Sequence, residues 1–334
     1  MDMLAQSLAV LTAPASLFFI LGFFAAYFRS DLSFPESIGK AMAIFLMVSI
    51  GLKGGVSLSQ SLEQVNAVMI YACLMGLALS FLIPVLAYGF LNLTTRIEMP
   101  DKVAVAAHYG SVSVVTFVTA MAVLEEMGID FSGYMLAVMA LMEAPAILSA
   151  LYLYRRALAR AGETERAADQ GHLLREIFFN GSIVLIVGSF LIGVFIGQEG
   201  LEPIKPFFMD PFRGVLCLFL LDIGLQAARR LRESKGAMKA PLVAFGIYMP
   251  IFSAVIGALA GAWIGLSAGD IALLATLSAS ASYIVVPAAM RLAVPESNPA
   301  IYMTLSLAIT FPFNIIVGIP LYINLAEYVS GWIQ

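Results

Sequence analysis

The feature that most constrains the fold of this chain is an internal repeat built from apolar residues. Residues 40–53 align without gaps with residues 213–226, at an offset of 173 (213 minus 40). A second alignment, at an offset of 169 (270 minus 101), pairs polar residues of the two halves: Asp101 with Asp270, Ser111 with Ser280, and Ser113 with Ser282. Duplicated apolar halves are typical of membrane proteins that place a central site between two repeats. We therefore expect a site where the aligned serines lie.

The composition indicates that most of the chain lies in lipid. Hydrophobic residues make up 61% of its 334 residues and charged residues 12%, against about 45–50% and about 25% in soluble domains. A net charge of −4, with no basic stripe to neutralise phosphates, gives no sign of a nucleic-acid partner. The sequence therefore predicts an all-α polytopic membrane protein.

Ten apolar segments are each about long enough to cross a hydrocarbon core of roughly 30 Å. They lie near residues 8–28, 36–52, 66–91, 102–124, 133–154, 178–197, 211–228, 240–266, 270–291 and 299–325. Backbone polar groups in lipid must be hydrogen-bonded within the protein, so each segment is predicted to be a helix, broken only where it lines protein or water. The prediction is ten transmembrane helices, five in each half.

Lysine and arginine are unevenly divided between the two sets of loops. Of the 18 basic residues, all but Lys53, Lys205 and Arg213 fall in one set. The positive-inside rule makes that set cytoplasmic and places both termini outside. Because five is odd, the second half must be inverted relative to the first. The predicted organisation is a first repeat at 1–155, a cytoplasmic linker at 156–176 and a second, inverted repeat at 177–334.

The linker region, residues 155–176, is the one sizeable polar stretch of the sequence. A solvated connection between the repeats is the favoured interpretation. A docking surface for a regulatory protein is the alternative.

The fourth and ninth segments carry the candidate substrate site, because both have small hydroxyl residues at matching positions. Gly110 and Pro287 weaken or interrupt the helical hydrogen bonds there, so a break is expected in both helices. A broken helix exposes amides that favour an anion, while freed carbonyls and hydroxyls can hold a cation. The candidate substrate-binding residues are Gly110, Ser111, Val112, Ser113, Thr116, Ser280, Ala281 and Ser282. The alternative is that serine and glycine only permit close helix packing.

Glu143 is the main candidate for binding a coupling ion. It lies inside an apolar segment, just before Pro145, which frees backbone in the fifth predicted helix. Intramembrane carboxylates are costly unless paired or hydrated, so Glu143 is interpreted as a cation ligand or proton carrier. The alternative is a salt-bridged or interfacial carboxylate. Asn314 and Ser278 are further candidate ion-binding residues, as neutral oxygen donors.

Two other ionisable residues lie inside apolar segments. Asp222 aligns with Ser49 of the first repeat, and it either serves the coupling ion or bonds a neighbouring helix. His108 is interpreted as a hydrogen-bonded core histidine, with proton carrier as the alternative.

The sequence has no metal-ligand cluster, phosphate-cradling loop or nucleophile with a paired base, so the protein is not predicted to be an enzyme or to need a cofactor. Besides a transporter, two classes remain open. A channel would use the same helices, although the sparse polar residues argue against a wide aqueous pore. A membrane receptor would bind its ligand without moving it.

Short motifs lie along nearly the whole chain, at residues 36–40, 50–55, 110–113, 124–126, 144–146, 210–214 and 297–300. In this order they resemble those of the SbtA family of sodium-dependent bicarbonate transporters. The chain differs from cyanobacterial members in the ninth segment, where Tyr283 follows the serine run in place of an acidic residue. Glu143 stands where that family has an aspartate.

The resemblance implies sodium-driven uptake of bicarbonate across a bacterial inner membrane, with periplasmic termini. Sodium would be the coupling ion, and the residues interpreted above as its candidate ligands are Glu143 and Asn314. The resemblance also implies a homotrimer and inhibition by a partner of the PII-like signalling class. Transport of another small anion and coupling to protons are the alternatives.

Overall fold

The computed structural model describes residues 14–60, 67–143, 145–161, 181–233, 238–283 and 285–331. Within these ranges the chain is helical and contains no strand, which confirms the predicted all-α class. The helices are α1 (Pro14–Tyr27), α2 (Glu36–Gln60), α3 (Ala67–Thr94), α4 (Met99–Gly110), α5 (Val114–Met127), α6 (Met135–Glu143), α7 (Pro145–Ala161), α8 (Gly181–Leu201), α9 (Lys205–Phe208), α10 (Phe212–Glu233), α11 (Ala240–Trp263), α12 (Ala268–Ala279), α13 (Val285–Ala293) and α14 (Pro299–Ser330). α14 includes two π-helical stretches, Leu305–Thr310 and Asn314–Gly318.

Seven helical stretches of the described residues are long and apolar enough to cross a membrane. They are α2, α3, α4 with α5, α6 with α7, α8, α11 and α14. α1 and α12 are apolar but shorter, and α10 has 22 residues but includes Arg213, Asp222 and Arg229. Each of the ten predicted segments overlaps a helix of the structure, and the chain is a multi-pass membrane protein.

The helices pack as two bundles. In the smaller one, which we call the four-helix bundle, α2 packs along α8 and α1 packs along α10. The larger one, the main bundle, contains α3 to α7 and α11 to α14. The two bundles meet where α10 faces α14 and where α2 and α8 face α6. The first two predicted helices of each half thus form one bundle, and the last three of each half form the other.

Glycines permit the closest helix contacts in the four-helix bundle. A Cβ at Gly55 of α2 would collide with the carbonyl oxygen of Phe190 in α8, and Gly193 meets the α2 backbone in the same way. In the other helix pair, a Cβ at Gly224 of α10 would collide with the carbonyl oxygen of Phe19 in α1. Backbones this close leave no room for a side chain, which is why small residues occupy these positions.

Two buried aspartates at aligned positions hold the first turns of α4 and α12. The Asp101 carboxylate accepts a hydrogen bond from the backbone N–H of Asn298, at 2.7 Å, just before α14 begins. The Asp270 carboxylate accepts from the Ser132 N–H at 2.7 Å, the Ser132 hydroxyl at 2.8 Å and the Tyr134 hydroxyl at 3.1 Å, just before α6. Each aspartate therefore ties one half of the chain to the other.

Polar contacts at the two ends of α10 show which loops share a side of the molecule. Near its end, Arg229 donates to the carbonyl oxygen of Leu32, at 2.8 Å. Near its start, Arg213 approaches Glu125, which also pairs with Lys53. The residues that meet at either end of α10 are therefore ones that the count of basic residues assigns to the same side of the membrane.

The predicted linker falls mostly on residues 162–180, which are outside the described ranges. α7 continues as far as Ala161, so the helix runs past residue 156, where the linker was predicted to begin. Residues 1–13, at the predicted outer terminus, are likewise outside the description.

The centre of the main bundle is formed by α4, α5 and α12. In the membrane-length stretch of α4 with α5, residues 103–121 are all buried, and α12 is buried from Gly269 to Ala279. The aligned serines at the ends of α4 and α12 therefore face protein and not lipid.

Candidate functional site

The first candidate segment, residues 111–113, is extended and separates α4 from α5. Ser111 has φ −89° and ψ 163°, and Ser113 has φ −103° and ψ 107°. Gly110, where α4 ends, is packed so closely on Pro84 of α3 that a Cβ would collide with the proline ring. Ser113 caps α5, since its hydroxyl oxygen accepts from the Thr116 N–H at 3.3 Å and the Thr116 hydroxyl at 3.0 Å.

The second candidate segment begins at Ser280, where α12 ends, and Ser280 is also extended, with φ −77° and ψ 159°. Its hydroxyl oxygen accepts from the backbone N–H of Ser113 at 2.9 Å and donates to the Leu277 carbonyl at 2.9 Å. The N–H of Ser282 donates to the carbonyl oxygen of His108, at 2.8 Å. One hydrogen bond therefore joins the two segments directly, and a second joins the second segment to α4.

The structure brings the predicted substrate-binding residues of the two halves together, and all of them are buried. The five hydroxyl residues are between 1% and 4% exposed: Ser111, Ser113, Thr116, Ser280 and Ser282. The side chains of Val112 and Ala281 belong to the apolar core. Any polar contribution from these two residues must therefore come from their backbone.

Glu143 lies at the end of α6, next to the first segment. The Ser111 hydroxyl is 3.3 Å from the Glu143 carbonyl oxygen and 3.4 Å from its Oε2, so both contacts are long. Glu143 Oε1 is buried and has no hydrogen-bond partner among the described residues. The Ser80 hydroxyl of α3 lies nearby, where it contacts the carbonyl oxygens of Met142 at 2.6 Å and Gly110 at 3.2 Å. Oxygen atoms from α3, α4 and α6 thus converge beside the break between α4 and α5.

Asn314 lies next to the second segment as Glu143 lies next to the first. Its Nδ2 donates to the Ala279 carbonyl oxygen, at 3.0 Å, where α12 ends. Its Oδ1 accepts from the Tyr322 hydroxyl, at 2.7 Å. Asn314 is completely buried, so these bonds hold its amide in one orientation.

The other two candidate ion-binding residues have different neighbours. Asp222 belongs to the four-helix bundle, where its Oδ2 accepts from Gln226 at 2.9 Å and faces Gly39 of α2. Neither neighbour is a predicted site residue. Ser278 lies against Gly257 of α11, and its buried hydroxyl has no partner among the described residues.

His108 is held inside the main bundle by its neighbours. Its Nδ1 is 2.6 Å from the Ala104 carbonyl oxygen, and its ring lies on Tyr302 with 4.5 Å between the ring centroids. These contacts fit the interpretation of a core histidine. The part of His108 that touches the second segment is its carbonyl oxygen, which residue type alone cannot reveal.

Two residues next to the site were missed in the sequence. Ser80 is a hydroxyl residue in a long apolar helix and could have been noticed for that reason. Tyr322 gave no such signal, because it lies in an apolar helix end and becomes relevant only through its bond to Asn314.

A cavity of about 570 Å³ lies between the two bundles. It is lined by residues of α2, α5, α8 and α10 together with Met209 and Asp210, and includes Ser49, Lys53, Glu125 and Arg213. A second, apolar cavity of about 20 Å³ is lined by Val114, Val115 and Val118 of α5 together with residues of α2 and α10. Val118 lines both cavities, so together they extend from Glu125 to the first residues after the break.

The family model of the Na⁺-dependent bicarbonate transporter superfamily matches residues 14–327. The chain belongs to this superfamily. The family predicted from the short motifs is therefore confirmed. No curated protein matches the chain. Membership in the superfamily suggests Na⁺-dependent bicarbonate transport, which fits a multi-pass membrane protein with polar residues buried at its centre.

Proposed function

We propose that this member of the superfamily is a secondary active symporter that uses the sodium gradient to take up bicarbonate. The observation that carries the proposal is the contact between the two serine segments inside the main bundle, where the Ser113 N–H donates to the Ser280 hydroxyl. Beside it, the Ser282 N–H donates to the His108 carbonyl oxygen of α4. Interrupted helices at the centre of a membrane protein are where transporters place substrate and ion sites.

The anion would bind at the start of α5 and beside Ser282. The first turn of a helix has N–H groups without intrahelical partners and a partial positive charge, and both favour an anion. The hydroxyl groups of Ser113 and Ser282 would donate further hydrogen bonds. Bicarbonate is small and planar, with several oxygen acceptors, and so matches a compact group of N–H and O–H donors.

Sodium would bind beside Glu143. The Glu143 Oε1 atom has no hydrogen-bond partner among the described residues, and the Ser111 hydroxyl lies near both the carboxylate and the carbonyl oxygen of Glu143. Oxygen atoms from an interrupted helix are the ligands that sodium-coupled transporters use. A sodium ion here would compensate the buried negative charge. Asn314 is the corresponding residue at the other segment, and we propose it as a neutral ligand.

We further propose that the halves are inverted repeats and that the main bundle moves against the four-helix bundle to give alternating access. The packing supports a pseudo-twofold relation, because exchanging the halves converts the α1–α10 pair into the α8–α2 pair. The aligned residues Asp101 and Asp270 also make equivalent bonds to the other half. α4 with α5, and α12 with α13, would be the broken crossing helices.

The remaining features of the proposal come from the family resemblance. We propose a homotrimer in a bacterial inner membrane, with both termini periplasmic and with regulation by a PII-like protein. Crosslinking in native membranes, and accessibility of a cysteine placed at either terminus, would test these features directly.

The substrate site is tested by uptake of labelled bicarbonate into proteoliposomes with an inward sodium gradient. Ser113→Ala and Ser282→Ala should each lower uptake at limiting bicarbonate by about tenfold, the effect of losing one hydrogen bond to a charged ligand. Ser149→Ala is the matched control, since Ser149 of α7 is also a buried serine but its hydroxyl donates to the Phe81 carbonyl oxygen, at 2.8 Å, away from the site. Unchanged uptake in both site variants, with normal insertion, would contradict the assigned site.

The ion site is tested by the sodium dependence of the same uptake. Glu143→Gln keeps the shape of the side chain but removes its charge, so the sodium concentration for half-maximal uptake should rise by about tenfold or more. If a proton gradient without sodium drove uptake by the wild-type protein, coupling would instead be to protons. Passive flux independent of any gradient would indicate a channel, and binding without flux would indicate a receptor.

A further inference from the structure

One carboxylate in the lining of the large cavity is shared by two cations from the other bundle. Glu125 of α5 lies with its Oε1 2.5 Å from the Lys53 ammonium of α2 and its Oε2 3.5 Å from the Arg213 guanidinium of α10. The Glu125 side chain is 32% exposed, and those of Lys53 and Arg213 are 50% and 62% exposed. All three residues line the cavity.

We propose that Lys53 and Arg213 form an entry site for a planar oxyanion, which binds there in place of the Glu125 carboxylate. A carboxylate group has two oxygen atoms on one planar carbon, and bicarbonate presents the same O–C–O fork. Two cations that hold a carboxylate from its two oxygens are therefore arranged for bicarbonate as well. The arginine guanidinium favours such forked acceptors over spherical anions.

A dissolved anion can displace the Glu125 carboxylate from the two cations because the ion pairs are exposed. An exposed ion pair changes an equilibrium constant by only about fivefold or less, so a dissolved anion can compete with it. The cavity of about 570 Å³ has room for a small anion with its water. Asp210 is the other carboxylate in the lining. Its negative charge lowers the affinity of the entry site for an anion, which suits a site that must release its anion.

The position of the entry site also links anion arrival to movement of the bundles. Lys53 and Arg213 belong to the four-helix bundle, whereas Glu125 belongs to the main bundle, so their ion pairs connect the two. An anion that takes the place of Glu125 would break this connection. The inference rests on the proposed function for its substrate, but the binding of an anion to Lys53 and Arg213 can be measured without transport.

The test uses acetylation of lysine in the purified full-length protein by a water-soluble succinimidyl ester, with peptide mass spectrometry as the readout. Bicarbonate replaces chloride at constant sodium concentration, ionic strength and pH. Lys205 is the internal control, because it is 48% exposed and also lies near a carboxylate, that of Glu202 at 4.0 Å. Bicarbonate should slow the acetylation of Lys53 by up to about fivefold while leaving Lys205 unchanged.

Two variants separate the entry site from a general effect of salt. Glu125→Gln removes the competing carboxylate, so protection of Lys53 should appear at a bicarbonate concentration lower by about fivefold. Arg213→Gln keeps the Lys53–Glu125 pair but removes the second cation, so protection should be lost. Equal protection of Lys53 and Lys205, or unchanged protection in the Arg213 variant, would overturn the entry site.

Uptake measurements distinguish a failure of this inference from a failure of the proposed function. If the wild-type protein shows protection of Lys53 but no sodium-driven bicarbonate uptake, the entry site stands and the proposed function fails. If uptake occurs without protection of Lys53, the proposed function stands and the entry site is wrong.

Discussion

Replacing Asp270 with alanine removes a buried carboxylate that accepts three hydrogen bonds across the two halves of the chain. These bonds come from the N–H and hydroxyl of Ser132 and from the Tyr134 hydroxyl, at 2.7, 2.8 and 3.1 Å. They fix the start of α12, which leads to Ser280, against the start of α6, which leads to Glu143. The loss of Asp270 should therefore loosen both sides of the candidate site.

The expected cost follows from the number and exposure of these bonds. A hydrogen bond to a charged group contributes about 1.5–3 kcal/mol, but Ser132 and Tyr134 are only partly buried and can bind water after the substitution. We therefore expect Asp270→Ala to lower the free energy of unfolding by about 3 kcal/mol. Asp101→Ala, which removes the single bond to Asn298, should cost about 1 kcal/mol.

The assay is thermal denaturation of the purified protein in detergent, followed by the fraction that remains monodisperse on size-exclusion chromatography. At about 2 °C per kcal/mol, Asp270→Ala should lower the midpoint by about 6 °C and Asp101→Ala by about 2 °C. Asp130→Ala is the control for loss of an exposed carboxylate in the loop that precedes Ser132 and should change the midpoint by about 1 °C or less. Equal shifts for the Asp270 and Asp101 variants would refute the reasoning from hydrogen-bond number.

Three further substitutions test the packing around the site. Gly55→Ala should lower the denaturation midpoint and the yield of inserted protein, because its Cβ would collide with the α8 backbone, whereas Gly89→Ala, which has no atom within 4 Å of its Cβ, should not. Tyr322→Phe leaves the buried Oδ1 of Asn314 without its donor and should cost about 1–3 kcal/mol in the same melt; an unchanged midpoint would show that the bond is not formed. Ser80→Ala removes a hydroxyl that contacts two carbonyl oxygens beside the break. It should raise the sodium concentration for half-maximal uptake while changing the denaturation midpoint little.

The sequence alone was sufficient to predict that the chain is a helical membrane protein and to which family it belongs. The apolar segments predict membrane helices because a helix in lipid must satisfy its own backbone hydrogen bonds, and this depends on local composition. The aligned serines also marked the two segments that the structure joins, because Gly110 and the hydroxyl residues weaken a helix locally. The large cavity was not predictable, since its lining comes from four separate helices.

Which polar residues lie together was decided only by the tertiary structure. Glu143 and Asp222 look alike in the sequence, as single carboxylates in apolar segments, yet Glu143 lies beside Ser111 whereas Asp222 bonds Gln226 in the other bundle. The N–H of Ser113 meets the Ser280 hydroxyl because the two halves pack against each other. Local sequence determines where a helix weakens, but the partner of an exposed backbone group depends on how distant helices pack, and that packing is a property of the whole chain.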